Sequence, residues 1–344
     1  MASRDLAVGL IFLFQTAVGI LGNSTFLYCT VLSDFAGNRV KPTDLILRNL
    51  AWANFMALLC KGIPQTMVAL VLDHSLDDIA CKIVFYFHRV ARGVSLGSTC
   101  LLSIFQAITI SPSNSKWTQL RVRAPKFIRP SLCLCWVLHM LVNALIPINV
   151  MDIRAPKFIR PSLCLCWVLH MLVNALIPIN VMDIRGGRNL TRMSDFGYCA
   201  VSSPRRQFAT LYSALLASTD VPCLGLMMWA SGSMVVVLSR HKKRVQHIHR
   251  SFPSRSVPES RATHSILTLV NNFVLSYSTS TILTTYMTFL DGATRWLVHT
   301  NVAMAACFPA FYPFLLLSHY TSVSRLCSCC CCLLTNCPGT VREL

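Results

Sequence analysis

Charged residues are scarce in this sequence, and acidic residues are the scarcest. Asp, Glu, Lys and Arg make up 13% of the 344 residues, and only 13 residues are acidic. Soluble domains carry about 25% charged residues, so the deficit argues against a water-soluble fold. The sequence also lacks HExxH and Walker-type motifs, and its polar connectors hold few acids. We therefore expect no enzymatic activity, no bound metal and no cofactor.

Basic residues are in excess, and their positions decide what that excess means. The net charge of +18 is of a kind that nucleic-acid-binding proteins often carry. Here the Lys and Arg residues lie in short connectors between apolar runs, where positive charge sets orientation in a bilayer. A lipid bilayer is therefore an expected partner, and nucleic acid is not.

Long apolar runs dominate the chain. A helix needs about 20 apolar residues to cross a hydrocarbon core of roughly 30 Å. The start of the chain lacks a basic region and a small-residue cleavage site, so we expect the first run to be retained as a span. Eight runs are apolar nearly all round, as lipid-embedded helices are: 6–32, 45–72, 81–110, 131–150, 162–181, 208–238, 265–290 and 296–317.

The count of eight has a specific cause. Residues 123–153 recur without a single change as residues 154–184. Structural repeats that stack into solenoids share a pattern and not every residue, so we interpret this as a tandem duplication of one segment or an assembly error. The fourth apolar run is therefore present twice.

Charge in the connectors predicts the topology. The basic connectors lie at 39–41, 116–129 and 240–261, and all three should be cytoplasmic. This places the N-terminus outside and the C-terminus inside, which requires an odd number of spans. We expect one copy of the duplicated run to cross, and favour the second, which leads directly into the next outer loop. The first copy would lie at the interface, form a re-entrant hairpin or be extruded; the alternative is a misfolded chain.

The connector after the duplicated run carries two extracellular markers. Asn189 begins an Asn-Leu-Thr glycosylation acceptor. Cys199 lies in the same connector, and Cys81 opens the third span. A disulfide between them suits an oxidising compartment, and two unpaired thiols are the alternative. A second acceptor at Asn23 lies inside the first span and is interpreted as structural.

Several segments resemble the vomeronasal type-1 receptors. They are KGIPQTM at 61–67, CKIVFYFHRVARGVS at 81–95, LLSIFQAITISP at 101–112, ASGSMVVVLSRHKKRVQHIHR at 230–250 and ACFPAFYPF at 306–314. The resemblance covers nearly the whole chain outside the duplicated block. It implies seven helices, an outer pocket for a pheromone-like small molecule, and a cytoplasmic face that engages a heterotrimeric G protein of the inhibitory class.

Marks of the broader rhodopsin-like group are missing, as the resemblance to the vomeronasal subgroup implies. Ser111 and Pro112 follow the third span in place of Asp-Arg-Tyr, and Asn54 stands where an acidic sodium-site residue would be expected. The last span has Pro309 and Pro313 instead of Asn-Pro-x-x-Tyr. Within the subgroup, Asn49 stands where histidine is common.

Ionisable residues inside the spans are candidates for ligand contact, because each costs several kcal/mol at mid-bilayer unless it is paired or hydrated. Lys61, Arg92 and Asp220 should lie near one level, with His88 and Arg89 closer to the outside. Asp220 could neutralise Arg92 or Lys61 and simply tie helices together. Alternatively, a surplus cation could face the pocket and bind a carboxylate, sulfate or polarised carbonyl.

The cytoplasmic side carries two further predicted features. A basic stretch continues the fifth span and should anchor it near anionic lipid, and the resemblance implies that it contacts the G protein: Arg240, His241, Lys242, Lys243 and Arg244. The tail is rich in cysteine, and Cys327, Cys329 and Cys330 are candidates for palmitoylation. A zinc site is less favoured because adjacent cysteines do not form separated CxxC pairs.

We therefore predict an all-α membrane protein, a seven-transmembrane helix bundle with one extra, duplicated hydrophobic segment. The receptor domain would span residues 1–326 and the cysteine-rich tail 327–344, in the plasma membrane. The predicted function is pheromone reception through a G protein. The alternatives are a receptor variant disabled by its duplicated helix and a small-molecule transporter; transporters usually carry inverted repeats, whereas this repeat is direct.

Overall fold

The computed structural model describes the helical bundle and three short strands between 181 and 202. The described residues are 2–35, 37, 40–70, 78–111, 115–148, 181–182, 193–195, 200–202, 220–240, 258–289 and 295–317. Eight α-helices account for most of them: α1 Ala2–Phe35, α2 Pro42–Ala57, α3 Ile63–Ala69, α4 Asp78–Ile110, α5 Ser115–Ile148, α6 Asp220–Arg240, α7 Pro258–Phe289 and α8 Arg295–Leu317.

Four of the described helices are long and apolar enough to cross a membrane by length and composition: the spans Leu6–Phe35, Ile83–Ile110, Asp220–Arg240 and His264–Met287. Helices α5 and α8 and the broken helix α2–α3 complete a bundle of seven. Helix α5, the fourth span of the bundle, begins at Ser115. The apolar run was predicted to begin at 131, and the basic stretch before that residue is helical as well.

A π-helical turn joins α2 to α3. The turn covers Leu58–Gly62, and the backbone N–H of Ile63 donates to the carbonyl of Leu58, five residues back. Pro64 follows at the start of α3 and has no N–H to donate to the carbonyl of Cys60. Such single π turns are frequent at functional sites, and this one carries Lys61.

Aromatic side chains form the centre of the buried core. Phe308 packs edge-on against Phe273, with ring centroids 4.7 Å apart, and contacts Tyr312 at 5.6 Å. Tyr312 is fully buried and donates its hydroxyl to the carbonyl of Leu47 at 2.6 Å. This bond ties α8 to α2. Since lipid is as apolar as the core, packing and such polar contacts hold membrane helices together.

Buried Asn side chains make the other ties between helices. Asn23 is fully buried and donates to the carbonyls of Gly19 at 2.7 Å and Pro309 at 2.9 Å, which joins α1 to α8. Asn54 accepts from Ser95 at 3.1 Å, which joins α2 to α4. Asn23 also begins a glycosylation acceptor sequence, which was interpreted as structural. The burial of Asn23 fits that interpretation, because a fully enclosed side chain has no room for a sugar.

The first copy of the duplicated segment occupies the fourth position of the bundle. Ile128 and Leu132 of α5 are buried in the core. Trp136 donates its indole N–H to Asn49 at 2.6 Å, and Tyr86 donates to the carbonyl of Met140 at 3.1 Å. These contacts dock α5 against α2 and α4.

This placement differs from the expectation that the second copy would cross and the first would lie outside the bundle. That expectation was based on the position of the second copy, which leads directly into the next connector, and position in the sequence does not register the contacts that a helix makes with its neighbours. Residues 154–180 of the second copy lie outside the described residues.

Two glycines of α4 allow α5 to approach closely. A Cβ on Gly97 would lie 2.6 Å from Cys135 Sγ, and one on Gly93 would overlap the His139 ring. The segment Gly93-Val-Ser-Leu-Gly97 also matches the GxSxG pattern of serine hydrolases, which the expectation of no enzymatic activity did not take into account. It lies inside a continuous helix, with Ser95 bonded to Asn54, and so lacks the strand-to-helix turn that exposes such a nucleophile.

The chain between 181 and 202 contains a small antiparallel sheet that was not predicted from the sequence. Its strands are β1 Val181–Met182, β2 Met193–Asp195 and β3 Ala200–Ser202, in the order β1-β3-β2. Val181 pairs with Val201, and Met193 pairs with Ser202. Strand β1 also contacts α4. Val181 was expected to end an apolar span, and it begins a strand instead.

Candidate ligand-binding site

Two helices and the π turn bring the predicted intramembrane charges together. We call Lys61, His88, Arg89, Arg92 and Asp220 the charge cluster. His88 and Arg92 are four residues apart on α4 and therefore share a face. Asp220 begins the described part of α6, and Lys61 lies on the π turn. Lys61 and Arg92 are close enough to repel each other, and both are electrostatic neighbours of His88.

Arg92 is held from three directions by α6 and α7. Its Nε donates to the Tyr277 hydroxyl at 3.2 Å, and its Nη2 donates to Thr281 Oγ1 at 3.2 Å. The guanidinium carbon lies 4.2 Å from the centre of the Tyr277 ring, a distance typical of cation–π contact. Nη2 is also 4.0 Å from the carboxylate of Asp220. The pairing of Arg92 with Asp220 was one of the predicted alternatives.

Tyr277 and Thr281 were not predicted from the sequence. The only signal was that α7 is rich in hydroxyl-bearing residues for an apolar helix, in the stretch SYSTSTILTTY at 276–286. Nothing in that stretch distinguishes these two side chains from their neighbours. Arg92 and its two partners are nearly 200 residues apart in the chain, and a contact at that separation has no local sequence signature.

His88 leaves one buried polar atom without a partner. The imidazole is hydrogen-bonded to the backbone of Ala57. Its Nδ1 is buried and has no hydrogen-bond partner among the described residues. A buried polar atom of this kind costs about 1–3 kcal/mol unless something binds it. Arg89 is half-buried beside it. This end of the charge cluster is therefore suited to receive a hydrogen-bonding group.

Asn301 extends the polar lining along α7 and α8. It accepts from Ser280 at 3.0 Å and donates to Thr284 at 3.0 Å. Ser280 follows Tyr277 by three residues and Thr284 follows Thr281 by three, so this network lies beside the partners of Arg92. Polar groups converging in a largely apolar bundle are typical of small-molecule sites.

Of the other predicted residues, the structure describes only Cys81, near the start of α4, and Arg240, at the end of α6. Cys81 is buried and disulfide-bonded, while its predicted partner Cys199 lies outside the described residues, as does Asn189. Arg240 is exposed at the end of α6. The remaining basic residues from His241 to Arg244, and the tail cysteines Cys327, Cys329 and Cys330, also lie outside the described residues.

Comparison with known proteins identifies the family. The profile of the vomeronasal organ pheromone receptor family matches residues 6–153 and again residues 151–329. The chain belongs to this family. Vomeronasal type-1 receptor 4 of Pongo pygmaeus is 45% identical over 95% of this chain and 98% of its own length, and its Homo sapiens counterpart is 44% identical over the same shares. Olfactory receptor class A-like protein 1 of Danio rerio is 27% identical over 91% of this chain and 90% of its own.

Solved structures confirm the fold. The crystal structure of squid rhodopsin superimposes with a TM-score of 0.61, covering 99% of this chain and 89% of that one at 16% identity. The predicted seven-transmembrane bundle is thus confirmed. The vomeronasal receptor is a multi-pass membrane protein and not an enzyme, as predicted. The two profile matches meet at residues 151–153, where the first copy of the duplicated segment ends.

Proposed function

We propose that this receptor binds a small-molecule chemosignal at the charge cluster and activates a heterotrimeric G protein of the inhibitory class. The observation that carries the proposal is the buried Nδ1 of His88, which lies within the charge cluster and has no hydrogen-bond partner among the described residues. Because the imidazole is already hydrogen-bonded to the backbone of Ala57, Nδ1 would accept a hydrogen bond from a hydroxyl or amino group of the ligand. A carboxylate, sulfate or polarised carbonyl elsewhere on the ligand would bind the Lys and Arg side chains of the cluster.

The proposed division of roles follows the hydrogen bonds. Arg92 is held by Tyr277, Thr281 and Asp220, so it shapes the site and keeps α4, α6 and α7 together. Arg89 and His88 lie toward the outer end of α4, about 4–6 Å closer to Cys81 than Arg92. They would contact the ligand directly. Lys61 would add positive charge from the π turn.

The experiment compares second-messenger responses of cells that express the receptor. The probes are matched small amphiphiles that differ only in an anionic, polar neutral or apolar head group. We expect Arg89→Ala to reduce the potency of an active anionic probe by about 10–100-fold with surface expression intact, which corresponds to a charge-assisted hydrogen bond. His88→Ala should reduce the potency of a polar neutral probe with a hydroxyl donor by about 3–10-fold, which corresponds to a neutral hydrogen bond. Lys41→Gln, an exposed change far from the cluster, is the control. Loss of expression instead of potency would assign the residues a structural role.

The proposed orientation is an extracellular N-terminus and a cytoplasmic C-terminus. Cys81 is disulfide-bonded near the start of α4, which suits the oxidising side of the membrane. Strand β1 contacts the same helix, and Tyr86 meets Met140 near the far end of α5. At the opposite ends, Arg121 of α5 donates to the carbonyl of Ser111. The sheet would therefore be extracellular, and the turn from α4 to α5 cytoplasmic.

Four modifications and contacts complete the proposal. Cys81 would pair with Cys199, which directly precedes β3. Asn189 would carry a glycan between β1 and β2. The basic stretch from Arg240 to Arg244 would contact the G protein, and Cys327, Cys329 and Cys330 would be palmitoylated on the same side. A toxin that ADP-ribosylates inhibitory G proteins should abolish the response, and a response that survives it would assign another class.

Glycosidase treatment tests the orientation. The parent chain should lose mass on treatment, whereas Asn189→Gln should not. A parent chain without a sugar, in surface-expressed protein with an accessible N-terminal tag, would show that both copies cross. The chain beyond the duplication would then be inverted, and the alternative of a disabled receptor would hold.

A further inference from the structure

Helix α5, the fourth span, lies in a groove between α2 and α4 and makes four contacts there. Asn49 accepts from the Trp136 indole, and Tyr86 donates to the Met140 carbonyl. On the same side of α4, Gly93 lies under His139 and Gly97 under Cys135. Two of the contacts require a particular polar side chain and two require a glycine, each at a particular position along the groove.

Every group that α5 presents to this groove exists a second time in the chain. The positions 31 residues later are identical, so the four contacts of the first copy can be matched one for one. The matching residues are Trp167 for Trp136, Met171 for Met140, His170 for His139 and Cys166 for Cys135. These four contacts cannot tell the two copies apart, because the residues that make them are identical in both. The bond from Arg121 to Ser111 lies outside the duplicated segment and is available to the first-copy helix alone.

The flanking sequence gives the second copy a continuous path as well. The residues matching the apolar part of α5, 131–148, are 162–179, and β1 begins at Val181. A second-copy helix would thus lead into the outer sheet after a single residue. When the first copy is docked, residues 149–180 separate the end of α5 from β1 instead.

We infer that the two copies compete for one groove and that the receptor is made as two topological isomers. In the first-copy isomer, which the structure shows, the connector between the copies is left on the outer side, between α5 and β1. In the second-copy isomer, the same connector is cytoplasmic. All other spans keep their orientation in both isomers, because each isomer has seven crossings.

Two opposing terms keep either isomer from dominating. The first copy is made first and follows α4 after a short connector, so it reaches the groove before the second. The connector between the copies carries Arg154, Lys157 and Arg160, and positive charge favours the cytoplasmic side. That bias favours the second-copy isomer, in which these three residues remain inside.

The test places an epitope tag between Ile153 and Arg154 in the full chain, inserted into microsomes and treated with protease from outside. The lumen corresponds to the extracellular side, so a protected tag reports the first-copy isomer and a digested tag the second. We expect both fractions, each at least about a tenth of the chains. A chain lacking residues 154–184, with the tag after Ile153, is the control and should be protected throughout.

Two matched variants test the charge term. Neutralising Arg154, Lys157 and Arg160 with Gln removes the bias toward the inside, and should raise the ratio of protected to digested tag by about threefold or more. The same change at the first copy, in Arg123, Lys126 and Arg129, is the matched control and should leave that ratio nearly unchanged, because these residues are cytoplasmic in both isomers. A tag on one side only in the parent chain would overturn the inference. So would a ratio that the change at Arg154, Lys157 and Arg160 does not shift. Neither result bears on the orientation test at Asn189, because both isomers place that residue outside.

Discussion

Arg92 and Asp220 approach each other to 4.0 Å from different helices, and the Asp220 side chain is only 8% exposed. This distance is at the long end for an ion pair, because the guanidinium also donates hydrogen bonds to Tyr277 and Thr281. Removing the carboxylate should therefore leave Arg92 held in place but with its charge poorly compensated. The pair is predicted to contribute to stability as well as to shape the site.

We expect Asp220→Asn to destabilise the solubilised receptor by about 1–2 kcal/mol. Breaking a fully buried pair costs about 3–5 kcal/mol, and the 31% exposure of the Arg92 side chain reduces that figure here. Thermal unfolding in detergent is the measurement. The double variant Arg92→Gln/Asp220→Asn should recover part of the loss, since no unpaired charge remains.

The matched control for this pair is Asp34→Asn. Asp34 contacts Arg48 at 2.6 Å, much closer than Asp220 contacts Arg92, but it is 37% exposed. Exposed pairs contribute about 0–1 kcal/mol, so this change should have the smaller effect. If Asp220→Asn left the unfolding temperature unchanged and altered only ligand potency, the pair would not be structural.

Asn23 compensates for a proline in the last helix. The carbonyl of Pro309 would normally accept from the backbone of residue 313, but Pro313 has no N–H. Asn23 donates to that carbonyl at 2.9 Å instead. We expect Asn23→Ala to cost about 1–3 kcal/mol, the penalty for a buried acceptor left unpaired.

A proline substitution should rescue that loss in part. Pro313→Ala restores a backbone N–H one helical turn after Pro309, so Asn23→Ala should be less harmful in a Pro313→Ala background. A double-mutant cycle on thermal unfolding measures the coupling. Strictly additive effects would contradict the proposed compensation.

Asn49 joins three helices through its side-chain amide. Its Nδ2 donates to Ser98 at 2.7 Å, while its Oδ1 accepts from Trp136 at 2.6 Å. Asn49→Ala should destabilise the receptor by about 1–2 kcal/mol because it leaves the indole N–H without an acceptor. Asn49→His should retain part of the stability, since imidazole also offers a donor and an acceptor. The comparison is best made in the chain lacking residues 154–184, because only the first copy is then present to occupy the groove.

How much of the fold and of the site could be predicted from the sequence depends on how far apart in the chain the interacting residues lie. Apolar length and connector charge are local properties, so the helical bundle and the intramembrane charges could be predicted. The pairing of Arg92 with Tyr277 or of Asn23 with Pro309 depends on how distant helices pack, and many polar side chains in the same helices would have fitted equally well. The π turn at Lys61 follows from Pro64, yet most prolines in helices give kinks rather than π turns.

The choice between the duplicated copies shows the same limit. The second copy was favoured from the sequence because it leads directly into the next connector. The contacts of Trp136 and Met140 favour whichever copy reaches the groove, and identical sequences cannot reveal which one does. Strand β1 was missed because it continues an apolar run that was long enough for a helix.

The close approach of α4 and α5 gives a last prediction, which separates packing from helix propensity. A methyl group on Gly93 would overlap the His139 ring, and one on Gly97 would lie 2.6 Å from Cys135 Sγ. Gly-to-Ala changes in open helix positions are normally stabilising by about 0.5–1 kcal/mol. At Gly93 we expect a loss of about 1–3 kcal/mol instead, as for overpacked cores. Gly225→Ala is the control, because nothing lies within 4 Å of its added Cβ among the described residues.

Truncating the opposing side chain decides whether that clash is the cause. In the chain lacking residues 154–184, His139→Ala should restore most of the stability lost in Gly93→Ala, because it removes the ring that the new methyl group meets. Gly97→Ala should be milder, since the Cys135 thiol can rotate away, and Cys135→Ala should remove its effect. Thermal unfolding and surface expression are the readouts. A Gly93→Ala variant as stable as Gly225→Ala would show that α5 does not pack against α4 at this point, and would remove the contact on which competition between the two copies depends.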